Sequence, residues 1–102
     1  MDIETTTREM AIRLKSRMHA RHVWLFGSHA RGSSTPDSDI DLLAVVPDTT
    51  LTRYQRAVSA RRELSSFNLP MDIVVLTNNE WEKQLKAPSS LASTVAREGI
   101  AL

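Results

Sequence analysis

The sequence predicts an α/β fold of the α+β kind, built on a small mixed sheet. Short apolar runs at 23–26, 40–46 and 71–76 have the length and the Val, Ile and Leu content of strands. The segments between and around them repeat apolar residues at helical spacing and begin on capping residues. A chain of 102 residues, 41% hydrophobic and 25% charged, suits one globular domain spanning 1–102.

The elements follow in order. Met10, Leu14 and Met18 recur at i, i+4 and i+8, with Ala11 widening the stripe. Thr5, Thr6 and Thr7 are candidate N-caps, and Glu9 is placed for a capping box on Thr6. Val23 to Phe26 is the first strand. Gly27-Ser28 stops it, a helical turn starts at Ser28, and Gly32 ends that turn. Pro36-Asp37-Ser38 leads the chain into the second strand, Ile40 to Val46. Asp39, Asp41, Leu43 and Val45 share one face there, and Ile40, Leu42, Ala44 and Val46 the other.

A second helix is capped by Thr49, Thr50 or Thr52, with a stripe of Leu51, Tyr54, Val58 and Arg61. Asn68-Leu69-Pro70 breaks it. The third strand, Met71 to Leu76, sets Asp72, Val74 and Leu76 on one face. Asn78 caps a short helix with Trp81 and Leu85. Ser89 or Ser90 caps a last helix through Leu91 and Val95, and Gly99 sits at its C′ position.

Composition excludes several functions. Without cysteine there is no disulfide framework, thiolate nucleophile or Cys-based zinc site. No run is long enough to span a bilayer, and the N-terminus is not a signal peptide, so no membrane association and a cytoplasmic location are expected. Net charge is +1, with Arg8, Arg13, Lys15, Arg17 and Arg21 crowding the first helix and Arg53, Arg56, Arg61 and Arg62 the second. These read as solvated helix faces. Trp24 and Trp81 read as core or interface residues, and neither sits in a stacking array suited to single-stranded nucleic acid, so direct nucleic-acid binding is not expected.

Chemistry concentrates between Gly27 and Leu42. Asp39 and Asp41, two residues apart at the start of a strand, point to one face, where bare carboxylates repel. A hard divalent cation such as Mg²⁺ reverses that interaction. A turn role accounts for Asp39 but not for Asp41, which lies inside an apolar run where an unpaired charge is costly. Asp72 alone is equally a plain strand-start acid. If its strand lies beside the second, three carboxylates converge. Gly27 lets backbone approach an anion closely, and Ser28 adds a hydroxyl donor.

Gly27-Ser28, then Asp39-Ile40-Asp41 and Asp72 opening a later strand, in the form GSHARG…SDIDLLAVV…MDIVVLT, resemble the minimal nucleotidyltransferases of the polymerase-β-like superfamily. The resemblance covers nearly the whole chain. It implies a mixed sheet with helices packed mainly on one face. It implies Asp39, Asp41 and Asp72 as catalytic residues and metal ligands, with Asp72 activating the acceptor hydroxyl or sharing the metal. Gly27, Ser28 and Arg31 become nucleotide-binding residues, although Arg31 suits a structural partnership with Asp37 or Asp39 as well. Mg²⁺, as one or two ions, is the implied cofactor and ATP the implied substrate.

Larger members of the superfamily carry a second domain that binds base, primer or antibiotic, and no such domain is expected here after the last helix. The Asp-bearing face, with Leu43, Val45, Val74 and Leu76, is expected to lack a cover within the chain. A partner is expected to supply one. By the resemblance it is a helical HEPN-domain toxin in a hetero-oligomer, and this chain is its antitoxin, transferring AMP to a toxin tyrosine. A non-catalytic module that neutralises by occlusion is the alternative. Transfer to a small molecule or an RNA end is a third reading, weakened by the missing second domain.

Overall fold

The computed structural model describes residues 2–102. Its order is α1 (Ile3–Arg17), β1 (His22–Phe26), α2 (Ser28–Arg31), β2 (Ile40–Val46), α3 (Arg53–Glu63), β3 (Met71–Thr77), α4 (Asn78–Leu85), α5 (Leu91–Glu98) and β4 (Ile100–Ala101), with a 3-10 turn at Ser65–Phe67. The sheet runs β3-β2-β1-β4. β2 pairs antiparallel with β1 and parallel with β3, and β4 pairs antiparallel with β1. The parallel pair needs a crossover, which α3 provides. The sheet is therefore mixed, and the three predicted strands lie side by side with β2 between the other two.

Side-chain alternation along β2 builds two cores. Ile40, Leu42, Ala44 and Val46 join Ile73 and Val75 beneath Met10, Ala11 and Leu14 of α1 and Ala60 and Leu64 at α3. Leu43 and Val45, with Leu76, pack under Trp81 of α4 and Ala92 and Val95 of α5. The longer helices thus lie on one face, and the two short ones close the other. This corrects the expectation that the Asp-bearing face lacks a cover: Leu43, Val45 and Leu76 are fully buried. Each contributes about 1.5–3 kcal/mol by leaving water. Trp24 and Trp81 stack there with ring centroids 6.1 Å apart.

Several local expectations shift. The first helix begins at Ile3 on an Asp2 cap whose carboxylate accepts from the Glu4 amide. Thr7 is inside it, buried, its hydroxyl donating to the Ile3 carbonyl at 2.8 Å. Thr52 caps α3 in a box with Gln55, while Thr77, not Asn78, caps α4 in a box with Glu80. The buried side of α3 is Arg56 and Ala60, and Tyr54 is 78% exposed. Arg56 turns inward because Nη2 donates to Glu80 Oε1 at 2.8 Å and Nη1 to the Leu51 carbonyl at 3.3 Å. Gly99 is extended rather than left-handed. A Cβ there would crowd the Val95 and Leu25 carbonyl oxygens, so its role is close approach of α5 to β1. β4 at Ile100–Ala101 follows α5 and was not anticipated.

Candidate active site

The parallel register sets Asp41 of β2 directly beside Asp72 of β3, and the antiparallel register sets Phe26 of β1 on the other side of Asp41. Residues directly paired across strands share a face. Asp39 lies just before β2 and is exposed. Burial, first, and then the charges of Asp72 and Asp39 push the Asp41 carboxyl above its usual range, against the opposing pull of His29 and Arg31. Desolvation and like charge both disfavour the carboxylate form.

Gly27 ends β1 with φ 74° and ψ −153°, a conformation open essentially to glycine alone. A Cβ on it would overlap Asp41 Oδ2. The turn backbone therefore lies against the carboxylate. Ser28 opens α2 immediately afterwards, and the Gly27 carbonyl accepts from the Ala30 and Arg31 amides at 3.1 Å. Gly32 closes the turn in the left-handed region at φ 75°. Arg31 is exposed and, among the described residues, makes no ion pair with Asp37 or Asp39.

Two residues join the site that the sequence did not single out for it. His29 Nε2 lies 3.2 Å from the Ser38 carbonyl, one residue before Asp39. Arg61 of α3 reaches around the sheet edge, with Nη2 3.9 Å from Asp72 Oδ1 and Nη1 3.3 Å from the Met71 carbonyl. Both ends of the Arg61 pair are more than half exposed, so it stabilises by at most about 1 kcal/mol. Arg61 is ten residues before Met71, and only the α3 crossover returns it to β3. His29 carries no sequence signal beyond its place beside Ser28.

A divalent cation fits what is present. The donors at the site are carboxylate and hydroxyl oxygens, which suit Mg²⁺. The repulsion at Asp41 is what a cation relieves, and Gly27 leaves the space next to Asp41 Oδ2 free of a side chain. Among the described residues no three His, Cys, Asp or Glu side chains gather closely enough to hold a metal by themselves. Mg²⁺ ordinarily takes one or two carboxylates and completes its shell with water and substrate phosphate.

Comparison with known proteins bears on the family and the fold. The family described as "Nucleotidyltransferase domain" matches residues 8–101. No curated protein matches in sequence. Among solved structures, a Sulfolobus solfataricus protein classed as a nucleotidyltransferase is similar at TM-score 0.63 and 22% identity, over 95% of this chain and 76% of that one. A chain of a toxin–antitoxin structure with AMP-PNP gives TM-score 0.63 and 20% identity, over 98% and 72%. A chain of a tyrosine-to-alanine mutant of the toxin–antitoxin MntA–HpeT gives 0.58 and 22%, over 94% and 70%. At such identities the structures speak for the fold. The match over residues 8–101 decides the family: the chain belongs to the nucleotidyltransferase-domain family.

Proposed function

We propose that the chain is a Mg²⁺-dependent nucleotidyltransferase that transfers AMP from ATP to a tyrosine of a HEPN-domain toxin and thereby acts as its antitoxin. The observation that carries the reading is the in-register pair Asp41–Asp72 with the Gly27 backbone against Asp41. The toxin–antitoxin neighbours support a toxin as the partner.

Asp39 and Asp41 hold the cation, and Gly27, Ser28 and Arg31 receive the phosphates. When bound, the cation neutralises charge on the triphosphate and the leaving pyrophosphate. Asp72, at the start of an edge strand and largely exposed, is open to an incoming hydroxyl. It accepts the phenolic proton as the tyrosine oxygen bonds to the α-phosphorus and the bond to the β-phosphate oxygen breaks. Arg61 Nη2 stands 3.9 Å from the Asp72 carboxylate on its α3 side. The chain's contribution is positioning and electrostatics.

The test is mass spectrometry of the co-expressed partner. The wild-type chain leaves added AMP on a partner tyrosine and neutralises toxicity. Asp39→Asn leaves none and does not neutralise. Full neutralisation of an unmodified partner would replace transfer with occlusion.

A further inference from the structure

We infer that His29 is a positioning residue for this site: through Nε2 it holds the Ser38 carbonyl, and so fixes Asp39 relative to the Gly27–Ser28 turn. A carbonyl only accepts, so Nε2 carries the proton and donates. The bond spans nine residues and is part-buried. The loop it holds is otherwise self-contained. Ser38 N donates to the Thr35 carbonyl at 3.0 Å, and Thr35 N donates to Ser38 Oγ at 2.8 Å. Among the described residues, no other side-chain hydrogen bond ties the loop 33–38 to the rest of the chain. Backbone bonds fix its two ends, Ser33 N to the Ser28 carbonyl and Ile40 N to the Pro70 carbonyl. Ile40 N holds the peptide that follows Asp39, and the imidazole holds the one that precedes it.

The consequence is a coupling of two functions. Ser28, beside His29, belongs to the phosphate-receiving turn, and Asp39, beside Ser38, to the cation site. His29 sets the distance between them. Residues that orient a metal ligand without touching the metal typically change affinity 10–100-fold when replaced. The inference rests on the reading of Asp39 and Asp41 as cation ligands.

His29→Leu, His29→Asn and His29→Gln separate tethering from bulk. Glutamine places an amide N–H near the position of Nε2, whereas asparagine places one near Nδ1, too short to reach. The probe is Mn²⁺ with α,β-methylene-ATP, which cannot transfer its α-phosphoryl group. Free Mn²⁺ is followed by electron paramagnetic resonance, and amide exchange is followed over residues 33–39 in metal-free protein. Leu and Asn are expected to weaken Mn²⁺ binding roughly 10–100-fold and to speed exchange, with Gln close to wild type in both. Wild-type binding and exchange in His29→Leu, or a Gln variant as impaired as Leu, overturns the inference. A wild-type protein that binds no Mn²⁺ overturns the cation-site reading instead, and exchange then decides the tether by itself.

Discussion

One face of the sheet does two opposite things along its length. At its start, Asp41 and Asp72 stand side by side, partly exposed and mutually repelling. Two residues further along the same strands, Leu43 and Val74 begin an apolar floor that Val45 and Leu76 continue under α4 and α5. Toward the far end, Arg56 of α3 and Glu80 of α4 form an ion pair at 2.8 Å in which opposite charges meet rather than like ones. The far end fixes the strands and so holds the carboxylates together against their repulsion. A site that disfavours its own charge state needs a scaffold whose stability comes from elsewhere.

The two ends also respond to acid with opposite sign. Asp41 binds its proton more readily folded than unfolded, so its contribution to stability falls as pH rises through its raised pKa. At neutral pH it is a penalty. Burial pushes Glu80 up, but the Thr77 amide, the Arg56 hydrogen bond and charge, and Arg53 more than offset it, leaving Glu80 below its usual range. Its contribution is present at neutral pH and lost as pH falls through that lowered value.

Trp81→Ala is expected to do the most damage. It empties a nearly buried site in the small core and unstacks Trp24, costing about 3–5 kcal/mol. Thermal unfolding should move down by more than about 12 °C. A shift of a degree or two would mean that α4 is not the anchor. Glu80→Ala leaves Arg56, only 4% exposed, without its carboxylate and removes the α4 capping box. Glu80 is itself a third exposed, so about 2–3 kcal/mol is expected, short of a fully buried pair. Urea unfolding checks it, and an unchanged midpoint breaks the comparison at this end.

Trp81 was readable as a core or interface residue on a short helix, but what it covers, and the Arg56–Glu80 anchor, were the least legible part of the chain. β2 was readable to the residue because seven apolar or alternating positions lie between Asp39 and Pro47. The turn at α2 was readable from Gly27 and Gly32, whose backbones demand glycine. The cover over Leu43 and Val45 was not. α5 offers only Ala92, Ser93 and Val95 to the interior, and small residues leave a weak periodic signal. The buried face of α3 was misplaced because its key residue is an arginine. Its partner lies 24 positions on, and nothing near Arg56 announces it. At the site, Asp41 stood out as an acid within an apolar run. Arg61 and His29 did not, since each acts through a contact made only by the folded chain.

At the carboxylate end the effects are smaller. Gly27→Ala meets both the positive φ and the overlap with Asp41 Oδ2, and should cost about 1–2 kcal/mol in urea unfolding. Wild-type stability in that variant would mean that the turn does not press on Asp41. Asp41→Asn should stabilise the metal-free protein at pH 7 by about 1 kcal/mol, since it removes a repelled, partly desolvated charge. The gain should close on acidification through the carboxylate range, as wild-type Asp41 becomes neutral. A variant less stable than wild type at pH 7 contradicts the strain assigned to this end.

The most direct measurement is thermal unfolding of wild type and Asp41→Asn at neutral pH, each with and without Mg²⁺ and α,β-methylene-ATP. Ligand that binds only the folded state stabilises it by about 2.7 kcal/mol at a hundredfold excess over Kd. The account predicts that wild type, the less stable protein without ligand, rises by about 10 °C or more with it, while Asp41→Asn stays where it began. An equal rise in both proteins would contradict the claim that Asp41 holds the cation.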